Sequence, residues 1–168
     1  LLFFTNRGRV YSIKCYRLPQ DASRTTRGTL LPNLISISGD ERVTSVVPVS
    51  DLRRQISLLL ATRKGLVKRM PLPALAAIRS TGIIAMSLRP EDELVSARAA
   101  GPTDEAIMVT ERGQSLRFPV SELREASRTA GGVWAIRPRP GDLLVALDVV
   151  RPGACLLTVT QNGFGKLT

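Results

Sequence analysis

The chain has 168 residues, 24 of them basic and 14 acidic, giving a formal net charge of +10 at pH 7. That length supports one domain with a real core, and 43% apolar with only 4% aromatic residues makes the core aliphatic. There is no histidine, which removes the usual triads, most zinc sites and the commonest general base, while the charge points to a polyanion or an anionic surface as partner. No apolar run approaches bilayer-spanning length and no signal peptide is evident, so the expectation is a cytoplasmic protein with no membrane partner. Cys15 and Cys155 show neither CxxC nor metal-ligand spacing and are expected to be reduced core thiols. The chain opens inside a strand without an initiator Met and stops inside a hairpin, so it is expected to be a fragment of a longer protein.

In chain order the first unit is Leu1–Lys14, LLFFTNRGRVYSIK. It reads as an apolar strand, a tight turn and a second strand. The unit returns at Leu58–Pro71, Ala106–Pro119 and Leu156–Thr168, each time with a Thr three residues before a Gly: Thr5/Gly8, Thr62/Gly65, Thr110/Gly113 and Thr160/Gly163. A three-residue hairpin loop is commonly a type I turn closed by a left-handed residue, a conformation Gly enters without steric cost. Repetition at roughly fifty residues marks a repeat protein.

After each of the first three hairpins comes an irregular stretch, Tyr16–Gly28, Leu72–Gly82 and Val120–Gly132, ending in a small basic cluster before Gly. Ser121 is placed to cap one helical turn over Glu122–Ala126. A third strand is predicted at Leu30–Ile37, Ile83–Leu88 and Val133–Arg137, with Trp134 in the core. An acidic turn follows, in which Asp40, Asp92 and Asp142 are read as equivalent turn formers and not as a catalytic or metal-binding set. A fourth strand closes each unit at Val43–Val49, Leu94–Ala99 and Leu143–Val150. The repeats are therefore 1–56, 57–105, 106–154 and an incomplete 155–168. Four strands per period is the mark of a blade in a propeller-like ring, and an open sandwich is the alternative.

Basic residues recur along these units. Arg7, Lys64 and Arg112 precede the hairpin Gly, with Asn162 breaking the series. The outgoing arms carry Lys14, then Lys68 with Arg69, then Arg117, then Lys166. The clusters before the third strand carry Arg24 with Arg27, then Arg79, then Arg128. Charges repeated on successive blades form a belt suited to a long, bent polyanion, and duplex DNA held through its phosphates is the natural candidate. A net-neutral rim would instead have suited a propeller-type protein-interaction scaffold. A ring-shaped hydrolase is weakened by the missing His and by the lack of converging carboxylates.

The stretches LLFFTNRGRVY, SRTTRG, LLLATRKGLVKRMPL, IRSTGIIAMSL and LLTVTQNGFGK resemble the C-terminal domains of bacterial DNA gyrase A proteins over essentially the whole chain. The resemblance implies an all-β fold, a six-bladed β-pinwheel of which about three blades and a hairpin are present. It implies a domain that wraps duplex DNA on its rim so that an ATP-driven type II topoisomerase introduces negative supercoils. Implied partners are duplex DNA, the remainder of gyrase A, and gyrase B, joined in an A2B2 holoenzyme. ATP, Mg and the strand-passage chemistry belong to other parts of that holoenzyme, so no cofactor is expected here. The basic, Gly-rich box diagnostic of gyrase in this family is not among these 168 residues, and the related domain of topoisomerase IV stays open as the alternative.

Overall fold

A computed structural model describes residues 1–20 and 28–168. Its strands are β1 (Leu2–Thr5), β2 (Arg9–Ser12), β3 (Val43–Val47), β4 (Ser57–Thr62), β5 (Leu66–Pro71), β6 (Ile83–Ile84), β7 (Leu94–Ala100), β8 (Glu105–Thr110), β9 (Ser115–Pro119), β10 (Val133–Trp134), β11 (Leu144–Val150), β12 (Leu157–Val159) and β13 (Gly165–Leu167). All four hairpins form as antiparallel pairs. In each, the Gly amide donates to the Thr carbonyl at 2.9–3.0 Å, and Gly8, Gly65, Gly113 and Gly163 all have positive φ, between 72° and 94°. The recurrent Thr has a local cause. The hydroxyls of Thr62, Thr110 and Thr160 accept the amides of Leu66, Gln114 and Phe164, each one residue past the Gly, at 3.0–3.2 Å. Thr5 Oγ1 is buried without a partner among the described residues.

The sheets are ordered β3-β1-β2-β6, β10-β5-β4-β7, β11-β8-β9 and β12-β13. A repeat's third strand therefore joins the preceding repeat's hairpin, β6 on β2 and β10 on β5. A blade has four strands, but they come from two successive repeats. These third strands are only two residues long because the next amides leave the ladder. Ala85 and Met86 both donate to the Gly8 carbonyl (2.8 and 3.1 Å), and Ala135 and Ile136 to that of Gly65 (3.2 and 3.3 Å). The strand predicted at Leu30–Ile37 is absent. Leu31–Asn33 is a 3-10 turn with Pro32 in its first turn, where a residue without an N–H is tolerated and a ladder strand would lose a donor. The helical turn predicted over Glu122–Ala126 is likewise a 3-10 turn, Val120–Glu122. Pro119 stands at its N-cap, with no side-chain cap, and Ser121 lies inside it.

β4 is buried on both faces, so its LLLA run is continuous and not alternating. Leu58 and Leu60 enter a core shared with Phe4, Val10 and Leu94, while Leu59 and Ala61 enter a second core with Met108 and Leu144. The period of two thus stitches the second sheet to both neighbours. β3, β7 and β11 pack side by side. Ser45 Oγ accepts the Ala97 amide at 2.9 Å and Ser96 Oγ donates to the Leu147 carbonyl at 3.1 Å. These strands form the inner edge, which leaves β6 and β10 at the outer edge.

Three further expectations fail. Trp134 is 41% exposed, because its two-residue strand has no neighbour on its far side among the described residues. Cys15 and Cys155 are exposed and not core thiols, since one opens a 3-10 turn and the other lies in the connection before β12. Asp40 is not the counterpart of Asp92 and Asp142. The turn bonds Glu41 N to Ser38 O, Asp92 N to Arg89 O and Asp142 N to Arg139 O align Glu41 with those acids.

Candidate nucleic-acid interface

The buried acids brace the hairpin turns. Asp92 Oδ1 accepts the amides of Lys64 (3.0 Å) and Glu93 (2.9 Å), and Asp142 Oδ1 those of Arg112 (3.0 Å) and Leu143 (2.9 Å). Thr110 Oγ1 donates to Asp142 Oδ2 at 2.7 Å. Burial by itself would raise the Asp142 pKa, but these three donors and the Arg112 charge outweigh it and hold the carboxyl below its ordinary value. In the first repeat Glu41 accepts from Tyr11 Oη at 2.7 Å and pairs with Arg9 at 3.5 Å; burial, then this carboxylate, raises the Tyr11 pKa. Asp40 is exposed and pairs with Arg7 at 2.9 Å. Asp92 and Asp142 thus hold turns in place, as their residue type led one to expect, whereas Asp40 makes only a surface ion pair.

With the turns fixed, their cations gather at one end of the sheets. Arg7, Arg63, Lys64 and Arg89 line an open depression of about 820 Å³ that runs from the first hairpin turn to the second. A smaller one of about 270 Å³ shares Lys64 and adds Trp134 and Arg137. Acids temper this face. Glu93 lies 3.0 Å from Arg42 and 3.7 Å from Arg63; its hydrogen bond from Asn6, followed by the charges of Arg42, Arg63 and Arg7, lowers its pKa. Lys64 Nζ donates to Pro90 O at 3.2 Å and lies 4.0 Å from Glu91.

Of the sequence-predicted cations, Arg7 and Lys64 meet on this face, and Arg112 occupies the same position in the third turn, exposed. Lys68 does not belong to the surface. It is 2% exposed, and its ammonium donates to the carbonyls of Ala85 (2.6 Å), Ser127 (3.0 Å), Arg128 (2.7 Å) and Ala130 (2.9 Å). Burial, and then the nearby Arg128, lower its pKa to about 8. Arg69 is also internal. Its guanidinium donates to Ser57 Oγ at 2.9 Å and to the Val120 and Leu123 carbonyls, with Glu125 at 3.4 Å. Both pin the following repeat to the second hairpin. Arg128 is half-buried and donates to Ile84 O at 2.6 Å. Lys14 lies at the opposite end of the first hairpin, beside Cys15 and Ala76. Arg117 pairs with Glu105 on β8, and Arg79 and Lys166 are exposed. Arg24 and Arg27 lie outside the described residues.

Sequence reasoning overlooked Arg63, Arg89 and Arg137. Their signals were present: Arg63 is inside the turn ahead of Lys64, Arg89 immediately precedes the Pro that opens an acidic turn, and Arg137 stands in the Arg-Pro-Arg-Pro run ahead of the next one. Lys68 also carried a warning. It stands three residues past its Gly, where the first hairpin has Tyr11, an inward-facing position, whereas Arg69 and Arg117 stand four past.

Blades that exchange a strand between repeats, with cations at the turn ends, define a β-pinwheel of the propeller-like class. The family described as DNA gyrase C-terminal domain, beta-propeller, matches residues 1–50, 57–100 and 104–151, and the chain belongs to that family. The DNA gyrase A protein of Dehalogenimonas lykanthroporepellens is 44% identical over 168 residues, and that of Mycolicibacterium smegmatis 42% identical over 170. All of this chain is covered in both, but it spans only 21% and 20% of those relatives. Among solved structures, the C-terminal domain of DNA topoisomerase IV superposes with a TM-score of 0.87 at 27% identity, covering 99% of this chain and 52% of that one. The DNA gyrase A C-terminal domain gives 0.83 at 25% identity, covering 99% and 53%.

Proposed function

We propose that this domain binds duplex DNA along its hairpin-turn end and bends it from blade to blade, as part of a gyrase A protein. The observation that carries the reading is the groove in which Arg7 of one repeat and Arg63, Lys64 and Arg89 of the next converge. Arg112 extends the line to the third repeat, each of the units 1–56, 57–105 and 106–154 contributing one turn. Such contacts neutralise phosphates and read little sequence. Bending a site of a few turns costs about 1–6 kcal/mol, so cations on several blades have to act together. Strand passage, ATP hydrolysis and Mg binding are assigned to the rest of gyrase A and to gyrase B, in an A2B2 holoenzyme in the cytoplasm, at the nucleoid.

The test is salt-dependent binding to unrelated duplexes. Replacing Arg7, Lys64 and Arg112 together by Gln is expected to weaken all sequences alike and to flatten the log–log salt slope by about two to three. Lys14→Gln, at the far end of the first hairpin, leaves the slope unchanged. Loss on one sequence only, or an unaltered slope in the triple variant, would refute the reading.

A further inference from the structure

Trp134 is the chain's only tryptophan, and it stands on the outer edge strand β10 with 41% of its surface exposed. Two guanidiniums from different repeats lie over its ring, Arg89 at 5.1 Å and Arg137 at 5.7 Å from the centroid. Among the described residues neither has an acidic partner, whereas Arg7, Arg63 and Lys64 on the same face are all paired with acids. Like charges brought to one ring repel, and the quadrupole of an exposed indole offsets that repulsion only weakly. The arrangement adjoins the groove through Lys64, with Asp142 the one acid lining the smaller depression.

We infer that Trp134, Arg89 and Arg137 form a contact point for the sugar-phosphate backbone of duplex DNA, an inference that rests on the DNA-binding reading above. The two guanidiniums take phosphate oxygens, and Arg presents paired donors that match that geometry. Beside them the half-exposed indole supplies an apolar surface that suits the apolar side of a deoxyribose. Pro138, lining the same small depression, gives it a rigid wall. The contact adds no base readout, so it strengthens binding to every duplex equally.

Because Trp134 is the sole tryptophan, intrinsic fluorescence reports it directly in the unmodified 168-residue chain. Titration with a duplex of a few helical turns is expected to shift its emission and shield it from acrylamide, saturating with the affinity seen by anisotropy of labelled duplex. Trp134→Leu weakens binding about two- to fivefold, Trp134→Phe less, and Arg89→Gln and Arg137→Gln each lower the salt slope by about one. The fluorescence arm needs no variant, so misfolding of Trp134→Leu does not blunt the test. If anisotropy shows binding while emission and acrylamide access stay unchanged, the contact point is refuted and the DNA reading stands. If anisotropy shows no binding, the DNA reading falls, and this inference with it. Stronger quenching by single-stranded than by duplex DNA at saturation would mean base stacking and would overturn the backbone assignment.

Discussion

The first two hairpins and the last two share one turn sequence but not its surroundings. A Cβ on Gly8 would overlap the Met86 carbonyl oxygen, and one on Gly65 the Ile136 carbonyl oxygen. On Gly113 or Gly163 it would meet nothing within 4 Å. The difference comes from the third strands, which seat two amides on the Gly8 and Gly65 carbonyls and have no counterpart on the other two among the described residues. The same Thr-x-x-Gly therefore has a local role in all four turns and an inter-repeat role in two. A repeat's motif can thus be uniform in sequence while its energetic weight depends on what the next repeat lays over it.

Substitution of the glycines should show this contrast at its largest. Gly65→Ala is expected to cost at least about 3 kcal/mol, because left-handed strain is joined by a backbone overlap that no side-chain rotation relieves. Gly113→Ala should cost only the strain, about 1–2 kcal/mol. Denaturant unfolding of the two variants is the measurement, and equal losses would break the comparison. Next in size is Lys68→Met. It removes the donor from four carbonyls, two of which, Ala85 and Arg128, take no other hydrogen bond among the described residues. The expected loss is about 2–3 kcal/mol, with faster amide exchange over residues 127–130 than elsewhere. Unchanged exchange in that segment would mean that Lys68 does not join the second blade to the third repeat.

The smallest effect concerns the third turn, which has no neighbour over its Gly among the described residues and is held from within by Asp142. The folded pKa of Asp142 lies below its ordinary 3.8, so its stabilisation is present above that value. It is lost as pH falls through the lower folded value. The Arg112 and Leu143 amide resonances should accordingly titrate below pH 3.8, and Asp142→Asn should abolish that step. Titration at or above 3.8 would show that the three donors do not hold the carboxylate.

What the sequence determined by itself is the set of features closed within a few residues. The four turns follow from Thr and Gly placed to satisfy each other's backbone, and the inner strands β3, β7 and β11 follow from apolar runs bounded by turn residues. The belt idea also came from the sequence, and its members Arg7 and Lys64 do meet. The tertiary structure decided everything that depends on which blade lies against a given face. Alternation along β5 shows that Lys68 and Arg69 point to opposite sides, but not that both sides are covered by the third repeat. β10 reads as an apolar strand whether or not another strand follows it, so the exposure of Trp134 is invisible in one dimension. The alignment of Glu41, and not Asp40, with Asp92 and Asp142 was likewise settled by turn hydrogen bonds, since one extra residue shifts a register without altering composition. Local hydrogen bonding is written in nearest neighbours, whereas burial is set by residues roughly fifty positions away, and here that distance separates a core lysine from a surface one.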